Sequence, residues 1–172
     1  MENLVFSNYT FQGKHAKFAQ DLVGDNSTSY FSSKIRLFIS GALIGISKNL
    51  KGQREQGEPR LKIEKDTWML ANAQIQHIMC LAIINDKDSS EPLDSRLKRL
   101  YTSPETPDEF RELLESYALG GIEYIHENLW FAGANTIEKI GQMGSFINSL
   151  TLDNEEISAT EIFEKANNLI HS

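Results

Sequence analysis

Apolar residues recur at helical spacing along most of this chain, whereas the alternation typical of strands is nearly absent. The segment 66–84 is the clearest case, because its apolar residues are three and four positions apart in turn: Trp68, Ala71, Ile75, Ile78 and Ala82. This spacing places side chains on one face of an α-helix. We predict a helix here that packs against other helices through this face, widened by Met69, Leu81 and Ile83.

The most apolar block, Leu37–Ile46, predicts a helix buried on all sides. Ten helical residues extend about 15 Å, roughly half of a bilayer core, so this block is too short to span a membrane. Gly41 and Gly45 lie one turn apart and would let another helix backbone approach closely. We predict a central helix from Ser29 to about Asn49, with its cap within residues 26–28.

A glycine pair, Gly120-Gly121, interrupts a second long apolar pattern. Its helix should begin at Thr106-Pro-Asp-Glu109, a capping sequence, and extend to about Asn128. Two glycines inside a helix cost about 2 kcal/mol relative to alanine, so close packing should compensate. We predict that they face Gly41 and Gly45, and that a leucine at Gly41 or Gly121 destabilises the fold by about 1–3 kcal/mol.

Four further helices complete the predicted fold. Three of them cover Gly13–Val23, a segment from Pro92 to Tyr101, and a segment that carries Ile137, Ile140, Met143, Phe146 and Ile147. The last is capped by Ser158-x-x-Glu161 and carries Ile162, Phe163, Ala166, Leu169 and Ile170. The predicted fold class is therefore all-α: a single-domain bundle of six or seven helices over residues 1–172, with one long charged loop at residues 48–64.

That loop, KNLKGQREQGEPRLKIE, combines glycine, proline and alternating charges, with a short extended piece predicted at Arg60–Ile63. Loops of this length are uncommon in compact domains and are often mobile or functional. We predict an exposed partner-contact element that folding does not require, although a solvated connector is an alternative. Its candidate interaction residues are Lys48, Lys51, Arg54, Arg60 and Lys62.

Charge is distributed unevenly along the 172 residues. Residues 1–63 hold nine Lys and Arg against five Asp and Glu, whereas residues 64–172 hold eight against nineteen, and the net charge is -7. An acidic chain is unsuited to indiscriminate DNA binding, but its basic end could contact phosphates or an acidic protein surface. The uneven distribution is also compatible with ordinary solubility charge.

Cellular location is indicated by the single cysteine and the amino terminus. Cys80 has no partner for an intramolecular disulfide, which favours a reducing compartment. Residues 1–6 show neither a basic region nor a long apolar stretch, so no secretory signal is predicted. We expect a cytoplasmic protein without membrane association.

Sequence motifs provide little support for catalysis or metal binding. Glu123-x-x-His126 has the spacing found in di-iron bundles, but those sites need a second such pair and two more glutamates. His77-x-x-Cys80 lacks the further ligands of a zinc site. Neither a phosphate-binding glycine loop nor a nucleophile elbow is present in the sequence, and the acidic turn Asp108–Glu115 is interpreted as a solvated surface. We predict no catalytic residue, metal or cofactor.

One segment resembles a known family. In Leu37–Arg54 an apolar block ending Gly-x-x-x-Gly-Ile continues into Lys-Asn-Leu-Lys-Gly-Gln-Arg-Glu, and this segment resembles the short helical accessory proteins encoded beside bacterial DNA phosphorothioation (Dnd) systems. The resemblance covers about twenty residues and includes no enzyme motif. It implies a bacterial cytosolic protein that acts within a multi-protein DNA-modification or phage-defence system.

Three functional hypotheses follow. The first is a non-catalytic helical subunit or adaptor, which binds a protein partner or a second copy and meets nucleic acid only through its complex. The second is a nucleic-acid-binding module that uses the basic amino-terminal half, including Lys34 and Arg36, with salt-sensitive affinity. The third is a small enzyme or ligand-binding bundle, which requires a pocket holding His77 or His126 with carboxylates.

Overall fold

A computed structural model describes residues 5, 6, 8–24 and 29–152 of the chain. These residues are 67% helical, with six helices and a small two-stranded sheet, so this part of the chain is largely helical but not all-α as predicted. Two compact units are present, Met1–Ala132 and Gly133–Ser172. The elements are β1 (Tyr9–Gln12), α1 (Gly13–Val23), α2 (Lys34–Lys48), β2 (Arg60–Ile63), α3 (Lys65–Asn85), α4 (Leu93–Thr102), α5 (Asp108–Leu129) and α6 (Thr136–Leu152).

The sheet joins the start of the chain to the end of the charged loop. β1 and β2 are antiparallel, with Tyr9 opposite Ile63 and Gln12 opposite Arg60. The extended piece predicted at Arg60–Ile63 is thus confirmed as β2. β1 was not predicted, because four residues are too few for alternation to stand out and because its partner strand lies far along the chain.

α2 begins five residues later than predicted. The preceding backbone is held by α1, since the Phe31 amide donates to the Leu22 carbonyl over 3.1 Å. Ser33 then caps α2 by accepting a hydrogen bond from the Arg36 amide at 3.4 Å. The cap predicted at residues 26–28 lies outside the described residues.

Five glycines form what we call the glycine seam, where α2, α5 and the charged loop meet: Gly41, Gly45, Gly52, Gly120 and Gly121. A Cβ on Gly121 would overlap the carbonyl oxygen of Gly41, and one on Gly45 would overlap the carbonyl of Tyr117. The helix backbones are therefore in direct contact. The predicted contact with Gly41 and Gly45 is confirmed for Gly121, whereas Gly120 packs against Leu50 and Gly52 of the loop.

The loop between α2 and β2 packs into this seam through Leu50 and Gly52, so it is neither exposed along its whole length, as we predicted, nor the solvated connector of the alternative. The Gly52 amide donates to the Ser116 carbonyl of α5 at 2.8 Å, and the Leu50 amide donates to the Gly45 carbonyl of α2 at 2.8 Å. A Cβ on Gly120 would lie 2.5 Å from the Leu50 carbonyl oxygen. Glycines permit this close packing because they have no side chain. Glycines are also common in flexible loops, which is why the sequence of the segment resembled one.

α3 contributes a narrower face to the core than its pattern predicts. Trp68, Ile75 and Ile78 are buried as predicted, but Met69 and Leu81 are exposed. Trp68 completes an aromatic cluster, because its ring centroid lies 5.0 Å from that of Phe6 and 5.1 Å from that of Phe38. The inner side of α3 is therefore well packed, and its other side is open.

The second unit is described through α6, Thr136–Leu152, which confirms the helix predicted there. Asn135 caps it, since its side-chain oxygen accepts hydrogen bonds from the Ile137 and Glu138 amides at 3.0 Å. Gly141 and Gly144 face open space rather than a packed neighbour. The helix predicted at residues 158–170 lies outside the described residues.

Candidate functional site

The cations proposed as interaction residues are engaged by groups of the chain itself, beginning with Lys51. Its ammonium lies 2.9 Å from an Asp86 carboxylate oxygen and 2.6 Å from one of Asp88. Burial alone lowers the pKa of Lys51, but the hydrogen bonds to Asp86 and Asp88 outweigh it and raise that pKa. Lys51 therefore fastens the loop to the carboxyl end of α3.

The other four cations of the loop are also engaged, although more weakly. Lys48 lies over the Tyr124 ring at 5.0 Å, and Arg54 lies 3.5 Å from a Glu115 oxygen. The remaining contacts are exposed ion pairs within the loop and strand, Arg60 with Glu58 at 3.4 Å and Lys62 with Glu64 at 3.3 Å. Exposed pairs of this kind contribute little, so Arg60 and Lys62 are the least firmly held of the set.

The Glu123-x-x-His126 motif holds α1 against α5. Glu123 Oε1 lies 2.8 Å from Nε2 of the buried His15, and His126 Nε2 lies 2.9 Å from Asp21. His126 is also stacked between the rings of Phe18 and Trp130. Each member of the motif thus bonds a residue of α1, which gives the motif a structural role.

The second spaced pair, His77 and Cys80, does not converge with other ligands. His77 is exposed on α3, and the Cys80 sulfur lies 2.9 Å from the Tyr101 hydroxyl of α4. Among the described residues, no group of three or more His, Cys, Asp or Glu side chains is placed to hold a metal ion. The enzyme hypothesis required His77 or His126 in a pocket with carboxylates, and His77 is instead exposed.

A polar cleft of about 350 Å³ lies where β1, the loop and the start of α5 meet. Its lining side chains, which define the polar cleft from here on, are Phe6, Asn8, Tyr9, Arg54, Asp108, Arg111, Glu112 and Glu115. Glu115 forms its buried end, since only 8% of the residue is exposed. The acidic turn predicted to be solvated therefore contains one buried carboxyl group.

Glu115 is held between a tyrosine and an arginine. The Tyr9 hydroxyl donates to Glu115 Oε1 at 3.1 Å, and the Arg54 guanidinium lies at 3.5 Å from the same oxygen. Burial raises the pKa of Glu115, while Arg54 and the Tyr9 hydrogen bond lower it to a smaller extent. Burial and the nearby Glu115 raise the pKa of Tyr9, which therefore stays a neutral donor.

Glu115 could have been noticed in the sequence from its place in α5. It lies two residues before an uninterrupted buried run, Tyr117–Ile122, so it falls where the helix enters the core. A carboxylate at such a boundary is less usual than one in the first turn of a helix. Asp108 occupies the first turn of α5, where its charge interacts favourably with the helix dipole. The sequence contained no comparable sign that Tyr9, on the distant strand β1, would lie beside Glu115.

The second prominent surface is an uncovered side of α3. We call it the α3 outer face and define it as Leu70, Ala73, His77, Leu81 and Ile84, all exposed and spaced by three or four residues. Leu70 is 92% exposed and Ile84 51%. Residues 67–84 include no Asp, Glu, Lys or Arg. By length and composition alone α3 could cross a membrane, but many core helices of soluble proteins pass the same test. Unlike a fully packed core helix, α3 has only 39% of its most apolar 18 residues buried.

Comparison with protein-family models, curated proteins and solved structures finds no match for this chain. Function is therefore argued from two local features, the α3 outer face and the polar cleft. The two use different elements: helix α3 in the first case, and β1, the loop and α5 in the second.

Proposed function

We propose that this chain is a non-catalytic helical subunit that assembles with a protein partner through the α3 outer face. The observation that carries this proposal is Leu70, a large apolar side chain left 92% exposed on a helix without charges between residues 67 and 84. Single exposed leucines are ordinary, but several apolar residues along one helix face mark an interaction surface, and here Leu70, Ala73, Leu81 and Ile84 flank the single polar residue His77.

The shape and charge of this face suit one amphipathic helix of a partner protein. Residues 70–84 rise about 21 Å, the length of roughly four helical turns. A partner helix would place its own apolar residues against this row at intervals of three and four positions. Because residues 67–84 have no charged side chain to pair or desolvate, an apolar partner face is the complementary one.

Nucleic-acid binding has less support from the geometry. Lys51 and Arg54 are already paired with carboxylates, and the Lys34 ammonium donates to the Lys62 carbonyl at 2.7 Å. A nucleic-acid backbone would have to compete with the contacts of Lys51 and Lys34, because Arg54 alone is held only weakly. The counterion release that drives such binding requires several cations that are free to neutralise phosphates.

The resemblance to Dnd accessory proteins concerns the identity of the partner. The residues that carry it, Leu37–Arg54, form α2 and the loop of the glycine seam, where close backbone packing accounts for Gly41 and Gly45. Packing alone therefore explains this part of the resemblance. Membership in a bacterial DNA-modification or antiphage complex, and a cytoplasmic location, stay predictions that co-purification from the native host would test.

The proposal is tested with a double variant, Leu70→Glu with Ile84→Glu, and a matched control on α1, Gln20→Glu, which is also exposed. Tagged parent and variants are expressed in the native host, and the recovered complexes are measured by light scattering and mass spectrometry. We expect parent and control to assemble, and the double variant to remain a monomer with an unchanged unfolding midpoint. If only a second copy of this chain is recovered, the assembly is a homodimer and not a complex with another protein.

Two results would contradict the proposal. In the first, the double variant assembles as the parent does, so the partner uses another surface. In the second, the isolated double variant loses several kcal/mol of stability, since burying a charge without a partner is costly. That loss would show that the chain itself covers the α3 outer face.

A further inference from the structure

We propose that the polar cleft binds a small compound carrying a carboxylate or phosphate group, held by Arg54 and Arg111. This goes beyond the assembly role, because the cleft lies away from the α3 outer face and uses none of its residues. Two guanidinium groups line one opening of about 350 Å³, and sites for small molecules commonly begin near this size.

Arg54 is placed to engage a ligand because its present contact is weak. Its Nε lies 3.5 Å from Glu115 Oε1, whereas strong charge-assisted hydrogen bonds measure about 2.7–2.9 Å. The side chain is 52% exposed. A guanidinium has five N–H donors in a planar fork, which suits the paired oxygens of a carboxylate or phosphate.

Arg111 supplies the second cation from the first turns of α5. Its guanidinium pairs with Asp108, one turn earlier on the same helix, and its side chain is 30% exposed. The Asn8 side chain adds an amide to the same lining, and the rings of Phe6 and Tyr9 form an apolar wall. A ligand with one anionic group and a small apolar body would satisfy both parts of the lining.

Asp108 and Glu112 limit the charge of this ligand. Both carboxylates belong to the lining of the cleft and would repel a compound with several negative charges. A monoanion meets the two arginines with the least repulsion. This selects a simple carboxylate or a phosphate diester over a phosphate monoester or a polyphosphate.

Glu115 couples binding to proton uptake. The groups that face it are Tyr9 from β1, Arg54 from the loop, and Glu112 from its own helix. Burial raises the pKa of Glu115, and the positive charge of Arg54 partly opposes this increase. An anion that binds Arg54 neutralises that charge and therefore raises the pKa of Glu115 further. Because the bound form then holds more protons, affinity should increase as the pH falls toward the raised pKa of Glu115.

The experiment titrates the full chain with lactate and with dimethyl phosphate, two monoanions, while backbone amide resonances are followed by NMR. Lactamide serves as the neutral control, and chloride keeps the ionic strength constant. We expect saturable shifts at Asn8, Tyr9 and Arg111 with at least one monoanion, and none with lactamide. Affinity should rise about threefold from about pH 7.5 to about pH 5.5.

Three variants locate the site. Arg54→Gln with Arg111→Gln should weaken binding about tenfold or more, whereas the matched control Arg60→Gln, which removes an exposed cation outside the cleft, should bind as the parent does. Glu115→Gln should still bind but lose the pH dependence. If the double variant does not fold, Arg111→Gln alone decides, because its partner Asp108 is exposed and the variant leaves that carboxylate in solvent.

The proposal is overturned if both monoanions shift the spectrum no more than chloride does, or if Arg60→Gln weakens binding as much as the cleft variants. Either result would indicate nonspecific ion binding. Retention of the full pH dependence in Glu115→Gln would overturn the coupling to Glu115. None of these outcomes depends on a protein partner, so the test is separate from that of the assembly role.

Discussion

Helices α2 and α3 are both strongly apolar and both pack against α5, yet they are covered very differently. In α2, three of the fifteen residues are exposed: Arg36, Leu43 and Ser47. In α3, large apolar side chains remain exposed along one side, with Leu70 at 92%. The difference lies in how closely α5 can approach each helix.

Glycine position explains this difference better than hydrophobicity does. Gly41 and Gly45 bring the α2 backbone against α5, and Gly52 brings the loop over the same point. α3 has no glycine, so its neighbours contact side chains on its inner half only. An apolar helix is therefore enclosed where small residues let neighbours surround it, and otherwise one of its faces stays exposed.

The largest effect is expected at the glycine seam. Gly121→Leu should cost about 3 kcal/mol or more, because the added atoms meet the Gly41 backbone rather than a side chain that can move. Chemical denaturation of the variant measures this loss. Gly141→Ala in α6, where nothing lies within 4 Å, should instead gain up to about 1 kcal/mol. Equal midpoints for Gly121→Leu and the parent would mean that the helices are not in backbone contact.

The two sides of α3 provide a matched pair. Ile75 is fully buried and Leu70 is 92% exposed. We expect Ile75→Ala to cost about 2–4 kcal/mol, because it leaves a cavity, and Leu70→Ala to change the stability of the isolated chain by less than about 0.5 kcal/mol. Thermal unfolding of both variants tests this. A large loss for Leu70→Ala would show that the outer face is covered within the chain.

The smallest effects concern the charged loop. Lys51→Ala should cost about 1 kcal/mol, because it removes the hydrogen bonds to Asp86 and Asp88 while Arg96 still pairs with Asp86 at 2.8 Å. Arg60→Ala should lie within about 0.5 kcal/mol of the parent, because its ion pair is exposed. A triple variant that changes Lys51, Arg54 and Arg60 to Glu should therefore be less stable than the parent. Denaturation midpoints separate these contributions, and equal losses for Lys51→Ala and Arg60→Ala would contradict the structural role of Lys51.

Local patterns determined much of this fold. The spacing of apolar residues located α1 at Gly13–Val23 and placed α3 and α5 within one or two residues of their ends. The helix ends depend on residues within a few turns of one another. The contact of Gly121 with Gly41 and Gly45 joins distant helices, but it could also be inferred, because glycines inside a long helix require a close neighbour to offset their cost.

The functional surfaces depend on residues that are distant in the sequence, and only the tertiary structure decided them. In the sequence, Glu115 resembles the other carboxylates of an acidic helix start. In the structure, Tyr9 of β1 and Arg54 of the loop lie beside it. The loop cations appear free until folding places Asp86 beside Lys51. Periodicity shows that a helix has an apolar face, but the number and closeness of its neighbours set how much of that face stays exposed.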